Sequence, residues 1–307
     1  MRNIEQCPIC GGTACKSWPA LVAPFIAEYV LHSPVSICAL KECSNCGFRF
    51  FDSRFEDMEM ARLYSGYRGP EYFKTRHRHE FWYSERHNED SGKDRTVVAS
   101  RKIFLLDAIK RQVDPNTLDR VLDFGGDSGQ LLPEGLGRER HVFEISDAEP
   151  VSGITKLSDE NNLQAHSYDL VVLSHVLEHT PDPVSLLRKV ASLLKPGGWV
   201  YVEVPWERYS LRLHGRSPIY TRYLGWLSRH PRLLWVLDFY STGFRILLNT
   251  VPPLGFPKLH EHINFFNEQS LAEGCAKAGL DVLECQRSRL PRDAHGAEVL
   301  SAMARLH

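Results

Sequence analysis

Arg120-Val-Leu-Asp-Phe124 runs directly into Gly125-Gly-Asp-Ser-Gly129 and then Gln130-Leu-Leu132. A short apolar run that ends in an acidic residue, crosses glycines and returns to apolar residues predicts a buried strand, a tight turn and the opening of a helix. Over such a turn the backbone can approach a nucleotide-like ligand closely, with its N–H groups facing the ligand. The next apolar run, His141-Val-Phe-Glu144, ends in a carboxylate 144 − 123 = 21 residues after Asp123. A ribose-diol acceptor belongs at that distance in folds of this kind. Tyr168-Asp-Leu-Val-Val-Leu-Ser174, a helical stretch from Val184 to Leu194 and Trp199-Val-Tyr-Val-Glu-Val204 continue the alternation. Alternating strands and helices imply an α/β, mostly parallel sheet that binds ligands at the carboxyl ends of its strands, where Ser174 and His175 fall. Leu280–Cys285 and Ala297–Ala304 read as a closing hairpin with an antiparallel last strand.

Val121-Leu-Asp-Phe-Gly-Gly-Asp-Ser-Gly129, Tyr168-Asp-Leu-Val-Val-Leu-Ser-His-Val-Leu-Glu-His179 and Leu194-Lys-Pro-Gly-Gly-Trp-Val200 resemble the successive motifs of class I S-adenosylmethionine-dependent methyltransferases. The resemblance runs from about Leu118 to the C-terminus and implies a Rossmann-like sheet with S-adenosylmethionine as cofactor. It implies that Asp123, Gly125, Gly126 and Gly129 lie under the methionine part and Glu144 on the ribose hydroxyls. Asp159 would lie near the adenine, and Ser174 and His175 would face the sulfonium and the acceptor. Asp127 stands where that family has the middle glycine of the loop, so it can repel the methionine carboxylate or hydrogen-bond its ammonium.

Six of the eight cysteines lie in the first 46 residues, and two pairs, Cys7/Cys10 and Cys43/Cys46, have the Cys-x-x-Cys spacing followed by Gly11 and Gly47. Each pair lets two thiolates of one turn reach the same cation, so the four together predict a closed, structural Zn²⁺ site. Two disulfides are the alternative; the N-terminus lacks the apolar run of a secretion signal, which points to a cytoplasmic, reducing setting and to zinc. Cys15, Cys38 and His32 are substitute ligands or core, and Cys275 and Cys285 read as buried hydrophobes. The knuckles together with His260-Glu261-His262 also resemble the zinc-bearing sugar methyltransferases of bacterial polysaccharide and deoxysugar pathways. That resemblance implies a small-molecule acceptor, an anionic sugar conjugate that is nucleotide- or lipid-linked, and acid/base residues drawn from His262, His260, Glu261 and His175. A second reading gives His175, Glu178 and His179, at i, i+3 and i+4, to a Mg²⁺ or Zn²⁺ site completed by His260 or His262.

The 37 basic residues nearly balance 38 acidic ones, which argues against a general nucleic-acid binder. Composition and motif order divide the chain into a zinc ribbon (1–53), a helical substrate or lid segment (54–116) and a cofactor-binding domain (117–307) with an insertion at 206–259. The insertion carries Arg208, Arg212, Arg216, Arg222, Arg229, Arg232, Arg245 and Lys258 against Glu207 and Asp238, a local charge of 8 − 2 = +6. This suits a lid over an anionic substrate, a helix on an acidic membrane surface or a solvated hairpin. Basic and aromatic residues interleaved between Tyr64 and Tyr83 keep a zinc-ribbon RNA methyltransferase open, and Asp127 keeps open a cofactor-binding protein without catalysis.

Overall fold

The computed structural model describes residues 1–90, 94–215, 217–290 and 298–307, so Arg216 and Ala297 lie outside the described residues. In chain order, strands β1 (Cys15–Val22), β2 (Ile37–Cys43) and β3 (Arg49–Phe51), with helices α1 (Pro24–Tyr29), α2 (Asp57–Ser65) and α3 (Pro70–His79), precede the long helix α4 (Arg95–Lys110). Strands β4 (Arg120–Phe124), β5 (Glu139–Phe143), β6 (Thr155–Leu157) and β7 (Tyr168–Ser174), helix α5 (Pro183–Leu193) and strand β8 (Leu194–Pro205) follow. The insertion forms α6 (Pro218–Leu227) and α7 (Pro231–Leu248). The chain continues through β9 (Lys258–Leu259), β10 (Asn264–Phe265), α8 (Glu268–Lys277), β11 (Leu280–Arg289) and β12 (Glu298–Leu306).

These elements form two compact units: Met1–Cys7, Gly11–Glu89 and Glu207–Phe265 in one, Pro8–Cys10, Asp90–Trp206 and Phe266–His307 in the other. Pro8–Cys10 is the tip of a turn whose ends, Cys7 and Gly11, belong to the first unit and are joined by a 2.9 Å backbone hydrogen bond. One border between the units falls between Trp206 and Glu207, and the insertion beyond it supplies core to the N-terminal segment. Leu224, Leu227, Leu234 and Phe256 bury Leu21, while Val251, Leu259 and Ile263 join Phe25, Phe51 and Tyr72 in a second cluster. Five strands in the order β9-β1-β2-β3-β10 back these clusters, with β9 parallel to β1 and the other pairings antiparallel.

The second unit is the expected Rossmann-like sheet. Its order is β11-β12-β8-β7-β4-β5-β6; the last five are mutually parallel, and β12 runs antiparallel between β8 and β11. Val121, Leu170 and Val172 are fully buried and pack with Leu105 and Ile109 of α4, as central strands covered by helices must. Asp182 caps α5, accepting from the Ser185 N–H at 3.0 Å, and Pro183 supplies the preset φ of a first helical residue. The strand order reverses between β4 and β7, which opens the ligand crevice just beyond Phe124 and Ser174. The helix expected after the glycine turn does not form; Gly126 to Leu132 continues as turns, with Gly129 N–H bonded to Gly126 O and Leu132 N–H to Gly129 O. Pro133, Gly135 and Gly137 break the segment, two of them glycines at φ near +80° and +76°, a conformation no helix accommodates. None of the described helices is long and apolar enough to cross a membrane.

Candidate functional site

The glycine turn is built around Asp123. Its side chain is fully buried, and a Cβ on Gly126 would lie 2.1 Å from the Asp123 carboxyl carbon, so only glycine fits above it. Gly125 and Gly129 hold φ near +73°, and a Cβ there would press on Val176 at 2.9 Å and Ile154 at 2.8 Å. Asp127 also adopts the left-handed conformation, φ +56°, which explains how an aspartate replaces the expected middle glycine: Asp tolerates that region better than most side chains. Its carboxylate accepts from Gln130 Nε2 at 3.3 Å. Glu144, at the end of β5, is tied to the same turn: its Oε2 accepts the Asp127 N–H at 3.1 Å and its Oε1 the Ser146 N–H at 2.9 Å.

Among the described residues, neither carboxylate oxygen of Asp123 has a hydrogen-bond partner. Burial pushes its pKa up to about 7; Arg101 opposes this, and the nearby Glu144 and Asp127 charges add to it. A buried acid with unfilled acceptors and acidic neighbours is a site for a cationic group, so the cradle fits a ligand bearing an ammonium and a sulfonium.

On the adjoining strand, Ser174 Oγ accepts from Arg101 at 2.6 Å and donates to Glu203 Oε1 at 3.0 Å. Tyr201 donates to the other Glu203 oxygen at 2.7 Å. His175, left-handed at φ +57°, lies 3.3 Å from Glu203 and 3.2 Å from Glu178. Burial and the Arg101 charge oppose its protonation, yet the two carboxylates outweigh them and raise its pKa. His179 also approaches Glu178, at 3.9 Å. The segment is a turn and not the helix that the i, i+3, i+4 spacing suggests. Asp159 caps its own turn, accepting the Asn161 N–H at 2.9 Å, and is solvent-exposed. Sequence reading missed Arg101 and Glu203. Glu203 was detectable as a carboxylate inside an apolar strand, whereas nothing around Arg101 distinguishes it from an ordinary helix arginine.

Residues 97–285, more than half of the chain, match the family described as "Methyltransferase domain". The chain belongs to this methyltransferase family. Among similar proteins, the ubiquinone biosynthesis O-methyltransferase of Nitrosospira multiformis is 31% identical over 121 residues, 39% of this chain and 38% of that one. The one from Marinobacter nauticus is 28% identical over 184 residues, 54% and 65% of the two chains. The chain therefore spans less than two thirds of the length of these curated relatives. A solved 1,6-didemethyltoxoflavin-N1-methyltransferase from Burkholderia thailandensis, bound to S-adenosylhomocysteine, matches with 16% identity and a TM-score of 0.44, covering 88% of this chain and 95% of that one.

The remaining expected residues lie outside the glycine turn and its neighbouring strand. The sulfurs of Cys7, Cys10, Cys43 and Cys46 lie within 4.8 Å of one another, with Cys7 and Cys46 3.7 Å apart. A disulfide would require about 2 Å, and no described cysteine forms one. Tetrahedral thiolates around zinc, at about 2.3 Å each, stand roughly 3.8 Å apart, so the four residues fit the ion. Gly11 and Gly47 take φ +77° and +68°, as the knuckle spacing requires. Cys38 and Cys275 are buried thiols, and burial raises the pKa of both.

His260 is buried and stacked on Phe25, ring centres 5.5 Å apart, and its Nε2 lies 3.4 Å from Glu80. Burial lowers its pKa, with Glu80 opposing, so the ring is neutral at neutral pH. Glu261 accepts the Tyr72 hydroxyl and pairs with Arg76 at 3.4 Å. His262 Nδ1 lies 3.0 Å from Glu207 Oε2. The same methyltransferase chain holds an open cavity of about 770 Å³ in the first unit, lined by Lys16, Trp18, Arg49, Arg208, Tyr209 and Arg212 among others. Among its described lining residues Glu42 is the sole acid, and Arg49 and Arg208 both pair with it, at 2.7 and 3.2 Å.

Proposed function

We propose that the chain is an S-adenosylmethionine-dependent methyltransferase acting on an anionic sugar conjugate, nucleotide- or lipid-linked, with a structural zinc on Cys7, Cys10, Cys43 and Cys46. The observation that carries the cofactor is Asp123, buried beneath Gly126 and without a hydrogen-bond partner among the described residues. Asp123 attracts the cationic methionine part, Gly125, Gly126 and Gly129 leave room for it, and Glu144 accepts from the ribose hydroxyls. When bound, the cofactor supplies a methyl group already activated on a sulfonium. The protein must then position the acceptor and, for a hydroxyl, remove its proton.

His262 is the proposed base. Glu207 favours the tautomer with the proton on Nδ1, which makes Nε2 the basic nitrogen. His260, which burial keeps neutral, is the second candidate, and Glu261 holds Tyr72 and Arg76 in position around it. The anionic part of the acceptor is assigned to the cavity, where one glutamate faces four cationic side chains. The curated relatives are named for ubiquinone biosynthesis, so a phenolic hydroxyl is the second reading of the acceptor.

Purified protein incubated with S-adenosylmethionine should release S-adenosylhomocysteine when given nucleotide-linked sugars, and not with catechols or bulk RNA. Turnover with phenols alone would select the second reading, and turnover with RNA would overturn both. His262→Ala should lower turnover by roughly 10² to 10⁴ with cofactor affinity unchanged. Full activity in His262→Ala and His260→Ala alike would remove this segment from the chemistry.

A further inference from the structure

Helix α7 has its polarity reversed. Its inward stripe includes Asp238, Ser241 and Thr242, all buried beside Leu234. Its outward side chains include Trp235, Val236, Phe239, Ile246, Leu247 and Leu248, each between 41% and 81% exposed. At 100° per residue, the first five of these fall within a sector of about 120°. The apolar face continues into neighbouring elements. Phe81, 45% exposed, has its ring 5.1 Å from both Trp235 and Phe239, and Trp226 of α6 is 49% exposed. An exposed apolar face of this extent needs a cover.

Charge decides what covers it. From Pro218 to Leu248 the sole acidic residue is Asp238, which is buried against Lys258 at 3.0 Å. Arg222, Arg229 and Arg232 are exposed beside the apolar face. A second copy docked on this face by a two-fold axis would set arginines against arginines, with no acid to offset them. A lipid bilayer with anionic headgroups offers the complement: acyl chains for the apolar sector, phosphates for the arginines, and an interface that favours tryptophan. The helix cannot cross a membrane, so it would lie flat. We propose that the α6–α7 face docks the protein peripherally on anionic membranes.

The test is co-sedimentation of the whole protein with vesicles of phosphatidylcholine alone and with vesicles containing roughly a quarter phosphatidylglycerol. Binding should occur only to the second, weaken with salt, and shift tryptophan emission to the blue. The triple variant Trp235→Ser/Phe239→Ser/Leu247→Ser should lose at least about tenfold in partitioning while keeping the parent's melting transition, since all three side chains are exposed. Arg222→Gln/Arg229→Gln/Arg232→Gln should remove the preference for anionic lipid, and it decides the matter should the apolar triple fail to fold. Equal pelleting with both vesicle types, or none with either, overturns the proposal. So does a dimer in solution that the apolar triple dissociates while vesicle binding is absent.

Discussion

Replacing Asp123 with Asn removes a charge from the floor of the glycine turn while preserving its shape. The parent carboxyl is fully buried, lacks a hydrogen-bond partner among the described residues and has its pKa pushed up to about 7 from 3.8. Between those values the unfolded chain has released the proton and the folded chain has kept it. Stability from the protonated form is therefore complete below about 3.8 and falls as pH rises to about 7. The interval of about 3.2 pH steps, at 1.36 kcal/mol each, comes to about 4 kcal/mol, of which roughly 3 falls between pH 5 and 7. Urea melts of the ligand-free parent and of Asp123→Asn from pH 5 to 8 read this directly. The variant should gain about 3 kcal/mol on the parent across that range and then hold level. Affinity for S-adenosylmethionine, measured by calorimetry, should rise with pH below 7 in the parent, because a bound cation favours the ionised acid. In Asp123→Asn that rise should vanish. Stability curves that stay parallel, together with a pH-independent affinity in the parent, would refute both the buried-acid argument and its role in the cofactor site.

Metal analysis should return one zinc per chain, and Cys43→Ser/Cys46→Ser should abolish it; an unchanged content would rule out the four-thiolate site. Glu144→Ala should weaken S-adenosylmethionine binding about ten- to a hundredfold, since a charged acceptor is lost, and calorimetry at fixed pH measures it. Arg101→Met strips a cation from Glu203, a nearly buried acid that His175 and Arg101 hold below its usual range against the pull of burial. It should cost about 3–5 kcal/mol at pH 7, a loss that shrinks as pH falls below 4.5 and the acid would titrate anyway.

The order of the methyltransferase strands, the glycine turn and the acid closing β5 were legible in the sequence, because each depends on spacing along a single stretch of chain. Parallel neighbours β4 and β5 end level, Phe124 opposite Phe143, so Asp123 and Glu144 fall at the same end of the sheet beside one turn. The paired knuckles were legible likewise, since a two-residue gap followed by glycine constrains local geometry wherever it occurs. Tertiary structure decided the rest. Lys258 and Arg208, counted with a basic insertion, are spent on Glu80, Asp238 and Glu42, so the cationic surface is smaller than the tally of charges. Arg101 reaches Glu203 across 102 residues, and no local pattern says which acid an arginine will meet. The sequence left the insertion open between a lid, a helix on a membrane surface and a solvated hairpin; the fold turns Asp238 inward to Lys258 and leaves the larger hydrophobes of α7 outside. Periodicity shows that a helix has two faces; which one the core receives depends on the partners that folding brings to it.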